Sequence, residues 1–279
     1  MQNSVNANAE ERGENRLGLL IVLASGAAAG YFSYLEWGLG WGISCALLGA
    51  LLAIIIIWVL LYIAISKRYA VIQGYMVDAQ NKVNRQLEMF NRRPPSSMNA
   101  ARQILEKIQF EGIRQSLTAL DGLKKFYIWN PLLYKQVNTN KVQLYYQLRE
   151  YDKVDALLPK SIVLDVRTVG IKLARMYKKN DSALDKFYQS RCRRFKGEDG
   201  AFIASVYAWM KVKQNEPEKA LDALRIAKKT SDNPILLENI DRLTNGKYKH
   251  YSNSGFGDVW YLLALEEPKV KNQRQTRAF

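Results

Sequence analysis

The chain has 279 residues, 48% of them hydrophobic, with a formal net charge of +15, two cysteines and one histidine. That apolar content excludes a disordered polyelectrolyte. The two distant thiols, Cys45 and Cys192, exclude a disulfide framework or a cysteine-rich metal site.

Residues 1–16 read as a polar N-terminal tail. Two runs without a charged residue follow, Leu17 to Leu35 and Leu39 to Ile65. At about 1.5 Å per helical residue each can cross a hydrocarbon core of roughly 30 Å, so the pair predicts a transmembrane hairpin over 17–65. A signal peptide has a shorter apolar core and is not followed at once by a longer one, so removal is not expected. Between the runs, EWGLGW (Glu36 to Trp41) has no Lys or Arg, whereas Lys67, Arg68, Lys82, Arg85, Arg92 and Arg93 follow the second run. The bias toward basic residues on the inner side turns the hexapeptide outward and leaves both termini in the cytoplasm, as in a bacterial inner membrane. Trp37 and Trp41 suit the headgroup level. Gly26, Ala27 and Gly30, opposite Ala46, Gly49, Ala50 and Ala53, permit close backbone approach, within the hairpin or between copies of the chain.

Charge is concentrated beyond the second run. Of 41 Lys and Arg two precede Ser66, and of 26 Asp and Glu four do, which leaves 39 against 22 in the remainder. A basic surface held at a membrane attracts anionic lipid headgroups or an acidic protein. Nucleic acid is a weaker candidate, because the bases are spread along the chain without a nucleic-acid motif.

Over Ser66 to Asn91 the positions Tyr69, Ile72, Met76, Ala79, Val83, Gln86 and Phe90 alternate steps of three and four, the spacing of a helical stripe. This extension pairs with a second copy or packs on the domain that follows, and the latter is favoured. Pro94 and Pro95 end it, and residues 92–100 form a linker.

From Met98 the chain is rich in Leu, Ala, Lys, Gln and Tyr, which predicts an all-α remainder. Ser161 to Val166 (SIVLDV) is the one stretch that also suits a short strand. Aligning REYDKVDALL from Arg149, SALDKFYQSR from Ser182 and NEPEKALDAL from Asn215 superposes Asp152, Asp185 and Glu218 at a spacing of 33 residues. In the third copy Ala208, Ala220 and Ala227 are spaced 12 and 7 apart, and Asn215 and Pro217 suit an inter-helix turn. These features resemble the tetratricopeptide repeat, a helical hairpin of about 34 residues. The other copies depart from it, with Val142, Val154 and Ser161, then Arg175, Phe187 and Arg194, at the small positions. A helical pair over Ala101 to Tyr127 is expected to begin the stack, which covers 101–250.

The resemblance implies an α-solenoid whose concave face, lined by the first helix of each hairpin, holds a peptide or protein partner. It places Gln136, Thr139, Gln143, Tyr146 and Gln147 on that face, then Lys172, Met176, Lys179 and Asn180, then Phe202, Ser205, Trp209 and Lys213. Amides, lysines and aromatics in that mixture suit an acidic or amphipathic peptide. The family's carboxylate clamp is not reproduced in order.

Residues 251–268 are expected to form a capping helix, with Asp258 as its N-cap and Pro268 at its end, and 269–279 a basic tail. GFGD at Gly255 to Asp258 also matches the GxGD string of intramembrane aspartyl proteases. Neither apolar run contains the second Asp such a site needs. No P-loop, metal-ligand pair, cofactor motif or nucleophile-base motif is present, and His250 has no companion. The sequence therefore predicts a membrane-anchored scaffold without enzymatic activity or cofactor, serving assembly of a membrane or envelope complex. The alternative is a basic regulator that binds anionic lipid or nucleic acid through its charged surface.

Overall fold

The computed structural model describes residues 20–35 and 39–267. Expectations for the N-terminal tail, Leu17 to Leu19, Glu36 to Gly38, the Trp41 side chain, Pro268 and the basic tail lie outside what is described. All regular structure in the described residues is helical. Ser161 to Asp165 is an irregular link, and the carboxylate of Asp165 accepts from Thr168 N at 2.9 Å to cap the helix that begins at Val166. The chain divides into two compact units after Leu144.

The N-terminal unit contains α1 (Leu20–Leu35), α2 (Leu39–Arg92), α3 (Met98–Asp121) and most of α4 (Pro131–Gln147). Among the described residues α2 is the one helix long and apolar enough to cross a membrane, and its most apolar stretch leaves most of its large side chains exposed. α1 is apolar but shorter. The two meet at small residues: a Cβ on Gly26 would lie 3.0 Å from the Ala46 carbonyl oxygen, and one on Gly49 would lie 2.9 Å from the Ala29 methyl.

α2 continues without a break past Ile65 to Arg92. There its surface changes from apolar on every face to a single stripe. Ile72, Ala79 and Val83 are buried, and α3 packs along α2. Ser97 starts α3 by accepting from Ala100 N at 3.1 Å, a side-chain cap that satisfies a donor the first turn would leave free. The helical pair expected over Ala101 to Tyr127 is instead one 24-residue helix followed by a 3-10 turn at Lys124–Phe126. Gly112 does not interrupt it; a side chain there would collide with the Ala79 methyl, so this glycine marks a close approach of α3 to α2. Beyond it, Ile72, Leu120, Leu123, Leu133 and Val137 form the core of the unit.

The C-terminal unit holds the end of α4, then α5 (Tyr151–Leu157), α6 (Val166–Lys178), α7 (Leu184–Phe187), α8 (Gly197–Lys213), α9 (Pro217–Lys228), α10 (Pro234–Thr244) and α11 (Asp258–Tyr261). One device recurs at the ends of α4, α6, α8 and α10: Arg149, Asn180, Asn215 and Gly246 each have φ between 52° and 68°. The amide after each reaches back to a carbonyl, Glu150 N to Tyr145 O, Asp181 N to Met176 O, Glu216 N to Lys211 O and Lys247 N to Arg242 O. This left-handed cap satisfies carbonyls that a helix end leaves free and reverses the chain. α8 and α9 form the most regular hairpin, with Ala208, Ala220 and Ala227 buried. α7 is only 4 residues long and passes into a π-helical turn, Tyr188–Cys192, where Tyr188 stacks on Tyr207 at 3.8 Å.

Gly112→Ala is expected to destabilise the protein by about 1–3 kcal/mol through overpacking, despite roughly 1 kcal/mol of helix propensity in its favour. Adding Ala79→Gly moves the methyl from α2 to α3 and should return most of the loss. Denaturant unfolding of the full chain in detergent, followed by circular dichroism, checks this; equal stability of single and double variants would contradict the close crossing.

Candidate functional site: a groove covered by its own C-terminal segment

In the C-terminal unit the face formed by the end of α4, α6 and α8 is the place where the sequence puts a partner groove. α8 is buried on every side from Gly200 to Lys211. What covers it on this face is the segment Tyr251 to Glu266.

The segment is laid down in steps. Buried Asn239 on α10 donates to Ser252 O at 2.9 Å and accepts from Ser252 N at 3.2 Å, which fixes where the strap starts against α10. Tyr251 Oη and Asn253 Nδ2 then donate to one backbone carbonyl in the middle of α8, that of Ser205, at 3.0 and 2.9 Å. Phe256 meets Phe202 edge to face at 5.3 Å. Gly257, at φ +64°, turns the chain into the single turn of α11, whose Trp260 is fully buried and meets Trp209 edge to face at 5.5 Å.

The latch is Glu266. Its carboxylate accepts from both indoles, Trp209 Nε1 at 2.8 Å and Trp260 Nε1 at 3.1 Å. An indole N–H buried without an acceptor is costly, so one carboxylate removes two penalties. Nearby, Leu263 packs where Gly170 on α6 leaves room, and its carbonyl accepts from Tyr146 Oη at the end of α4. Where a capping helix is expected, the described residues 251–267 form a 3-10 turn at Ser254–Phe256 and the single turn of α11 within otherwise irregular chain. Asp258 lies in that turn and makes no capping bond; Gly257 is the cap residue.

Of the residues predicted to line the groove, Tyr146, Phe202, Ser205 and Trp209 form the floor and are buried beneath the strap. Gln147 and Met176 are half-buried. Lys172 is also half-buried and holds its ammonium 4.4 Å from the Phe187 ring centre. Lys179, Asn180 and Lys213 are exposed. Lys213 lies over the Trp209 ring at 5.3 Å and Lys179 pairs with Asp155 at 2.8 Å. Gln136, Thr139 and Gln143 belong to the N-terminal unit: Gln136 exposed, Gln143 half-buried, and Thr139 with its hydroxyl donating to Lys135 O at 2.9 Å. Tyr251, Asn253, Phe256, Trp260 and Glu266 are the residues that motif reasoning did not assign to the site. Their signal is an aromatic and asparagine content too high for a loose tail.

Carboxylates tie neighbouring helices together. Asp155 on α5 receives both arms of Arg175 on α6, at 2.9 and 2.7 Å, a fork geometry that only an arginine supplies. The hydrogen bond from Arg175, helped by Lys179, holds the Asp155 carboxyl below the usual range despite partial burial. Asp185 on α7 is likewise lowered: burial opposes its ionisation, but Lys211 and Lys219 outweigh it. Lys211 is nearly inaccessible and pairs with both Asp185 and Glu216.

Among the described residues no group of His, Cys, Asp and Glu is arranged to hold a metal. Burial pushes the Cys192 thiol up to about 12, which leaves it protonated and unreactive at neutral pH. No protein family, curated protein or solved structure matches this chain.

A carboxylate whose pKa is depressed by folding adds stability that is fully present above its unfolded value, about 3.9, and lost as pH falls through the lower folded value. Acidification below about pH 4 should therefore destabilise the protein, and Asp155→Asn should make the slope shallower while costing about 1.5–3 kcal/mol at pH 7. Unfolding curves across pH measure both. Glu266→Ala leaves two indoles without their acceptor, at about 1–3 kcal/mol each. Hydrogen exchange should quicken over Tyr251 to Leu265 with α9 still protected; unchanged exchange in the strap would rule out the latch.

Proposed function

We propose that this chain is a membrane-anchored helical adaptor of tetratricopeptide type that holds a protein partner at the cytoplasmic face of a membrane. The observation that carries the reading is α2, whose charge-free part leaves most of its large apolar side chains exposed while its continuation packs against α3. Such a surface needs hydrocarbon around its first part and water around the rest.

In this reading Leu17 to Leu35 is the first span and Leu39 to Ile65 the second, which keeps both termini on the basic, cytoplasmic side. The repeated left-handed caps and the alanine-lined α8–α9 hairpin support a repeat array. The partner contact lies on the open rim of the groove, where Lys179, Asn180 and Lys213 are exposed. Ammonium groups there select an acidic segment.

The test is capture from membranes solubilised in mild detergent, with wild type beside Lys179→Glu/Lys213→Glu. A protein held by the wild type should be recovered at least tenfold less by the double variant, about 1.4 kcal/mol, and should be held in part at moderate salt. Equal recovery by both, or complete loss in salt, would reject rim binding.

A further inference from the structure

In the N-terminal unit α3 runs back along α2. Gly112 lies against Ala79, the Ser116 hydroxyl lies 3.5 Å from the Ile72 carbonyl, and the end of α3 at Gly122 approaches the guanidinium of Arg68. The chain leaving α3 is thereby carried toward the charge-free part of α2. Its next turn places Trp129 and Asn130 beside Trp58, Tyr62 and Ile65. Trp58 precedes the end of the charge-free run by about two helical turns, roughly 10 Å. The turn between α3 and α4 therefore reaches the level at which the α2 surface passes from apolar to charged.

A cavity of about 270 Å³ lies between α2 and this turn. Along α2 its wall passes from Trp58, Leu61, Tyr62 and Ile65 to Ser66, and the opposite wall adds Asn130 and Gln136. A second groove, lined by Ile54, Ile55 and Val59, shares Trp58 and Tyr62 with it and is apolar throughout. A polar-edged chamber that continues into an apolar groove along a membrane-facing helix has the amphipathic profile of a lipid. Charge sets which lipid. Neither 58–77 nor 122–140 contains an Asp or Glu, whereas Lys67, Arg68, Lys124, Lys125 and Lys135 fall within them. The acids that adjoin these stretches, Asp78 and Asp121, are already held, Asp78 by Lys82 at 2.8 Å and Asp121 by Lys124 at 3.1 Å and Lys141 at 2.6 Å.

We propose that this cavity binds one anionic phospholipid, its phosphate beside Ser66, Asn130 and Gln136 and one acyl chain along the Ile54 to Tyr62 groove. The site rests on α2 crossing a membrane and is separate from the rim of the C-terminal unit. It would seat the α3–α4 turn at the headgroup level and fix the helical region's position on the bilayer.

Native mass spectrometry of the delipidated full chain, given phosphatidylglycerol or phosphatidylcholine, tests this. One phosphatidylglycerol should be retained at least tenfold better than phosphatidylcholine, and glycerol phosphate without acyl chains should not compete. Ser66→Trp and Gln136→Trp fill the cavity and should each lower retention at least tenfold; Gln136 is exposed, so its variant keeps the test valid if Ser66→Trp misfolds. Arg114→Gln, on the far face of α3, should change nothing. Equal retention of the two lipids, equal retention by wild type and Gln136→Trp, or competition by glycerol phosphate would overturn the site. Extraction of the chain from membranes by alkaline carbonate would overturn the membrane reading itself, and the two failures are distinct.

Discussion

The backbone ladder of α2 is unbroken from Leu39 to Arg92, and the rest of the N-terminal unit depends on that continuity. Each hydrogen bond fixes the next residue's height and rotation, so the apolar part and the stripe carrying Ile72, Ala79 and Val83 share one frame. A helix apolar on every face needs no particular neighbour, whereas a single stripe needs one at a defined angle. The transition falls at Ser66 to Arg68, where the first polar and charged side chains appear. α3 answers the stripe with its own buried edge, Ile113, Leu117 and Leu120, and by running back it delivers the α3–α4 turn to that transition. The level of the turn is thus set by helix packing, not by the loop's own preferences.

The C-terminal unit solves a different problem. Phe202, Trp209 and Tyr146 on one face form an aromatic floor that water would leave as an exposed patch. The strap removes it from solvent and buries a further indole, Trp260. Aromatic burial alone would strand two N–H donors and a phenol. Glu266 and the Leu263 carbonyl supply the acceptors, which ties the apolar contact to one register of the strap. A shift by one residue would keep some area and lose every one of these bonds.

Much of the local structure is readable from short spacings. The all-helical character follows from composition, and Ala208, Ala220 and Ala227 lie buried in α8 and α9 because a close crossing admits nothing larger. Features that depend on distant partners are not readable in this way. Arg175 looks too large for a close helix crossing until Asp155 is seen to hold it, a pairing that local spacing cannot reveal. The single helix α3 looks like a pair because no local signal says that α2 will cover its inner face. The strap is hidden for the same reason: Trp260 and Glu266 acquire their roles only when Trp209, far back in the chain, is beside them. Gly255 and Gly257 suggest a turn near residue 256, but which surface the turned chain meets is a tertiary outcome.

In the adaptor proposed above, occupation of the groove floor by the strap would limit what the groove can offer. A ligand that needs Trp209 and Phe202 must first displace Tyr251, Trp260 and Glu266, so its apparent affinity falls by the fraction of molecules in which the strap is open. With two indole bonds and a fully buried tryptophan to undo, that fraction is small, and a ligand of ordinary strength would be held at the rim. Charge then matters more than shape. Lys179 is partly neutralised by Asp155, whereas Lys213 rests on an aromatic face that leaves its charge available. Recognition at such a rim favours an acidic segment over an apolar one, and displacement of the strap becomes a second, stronger mode open only to a ligand that replaces both the indole and the carboxylate.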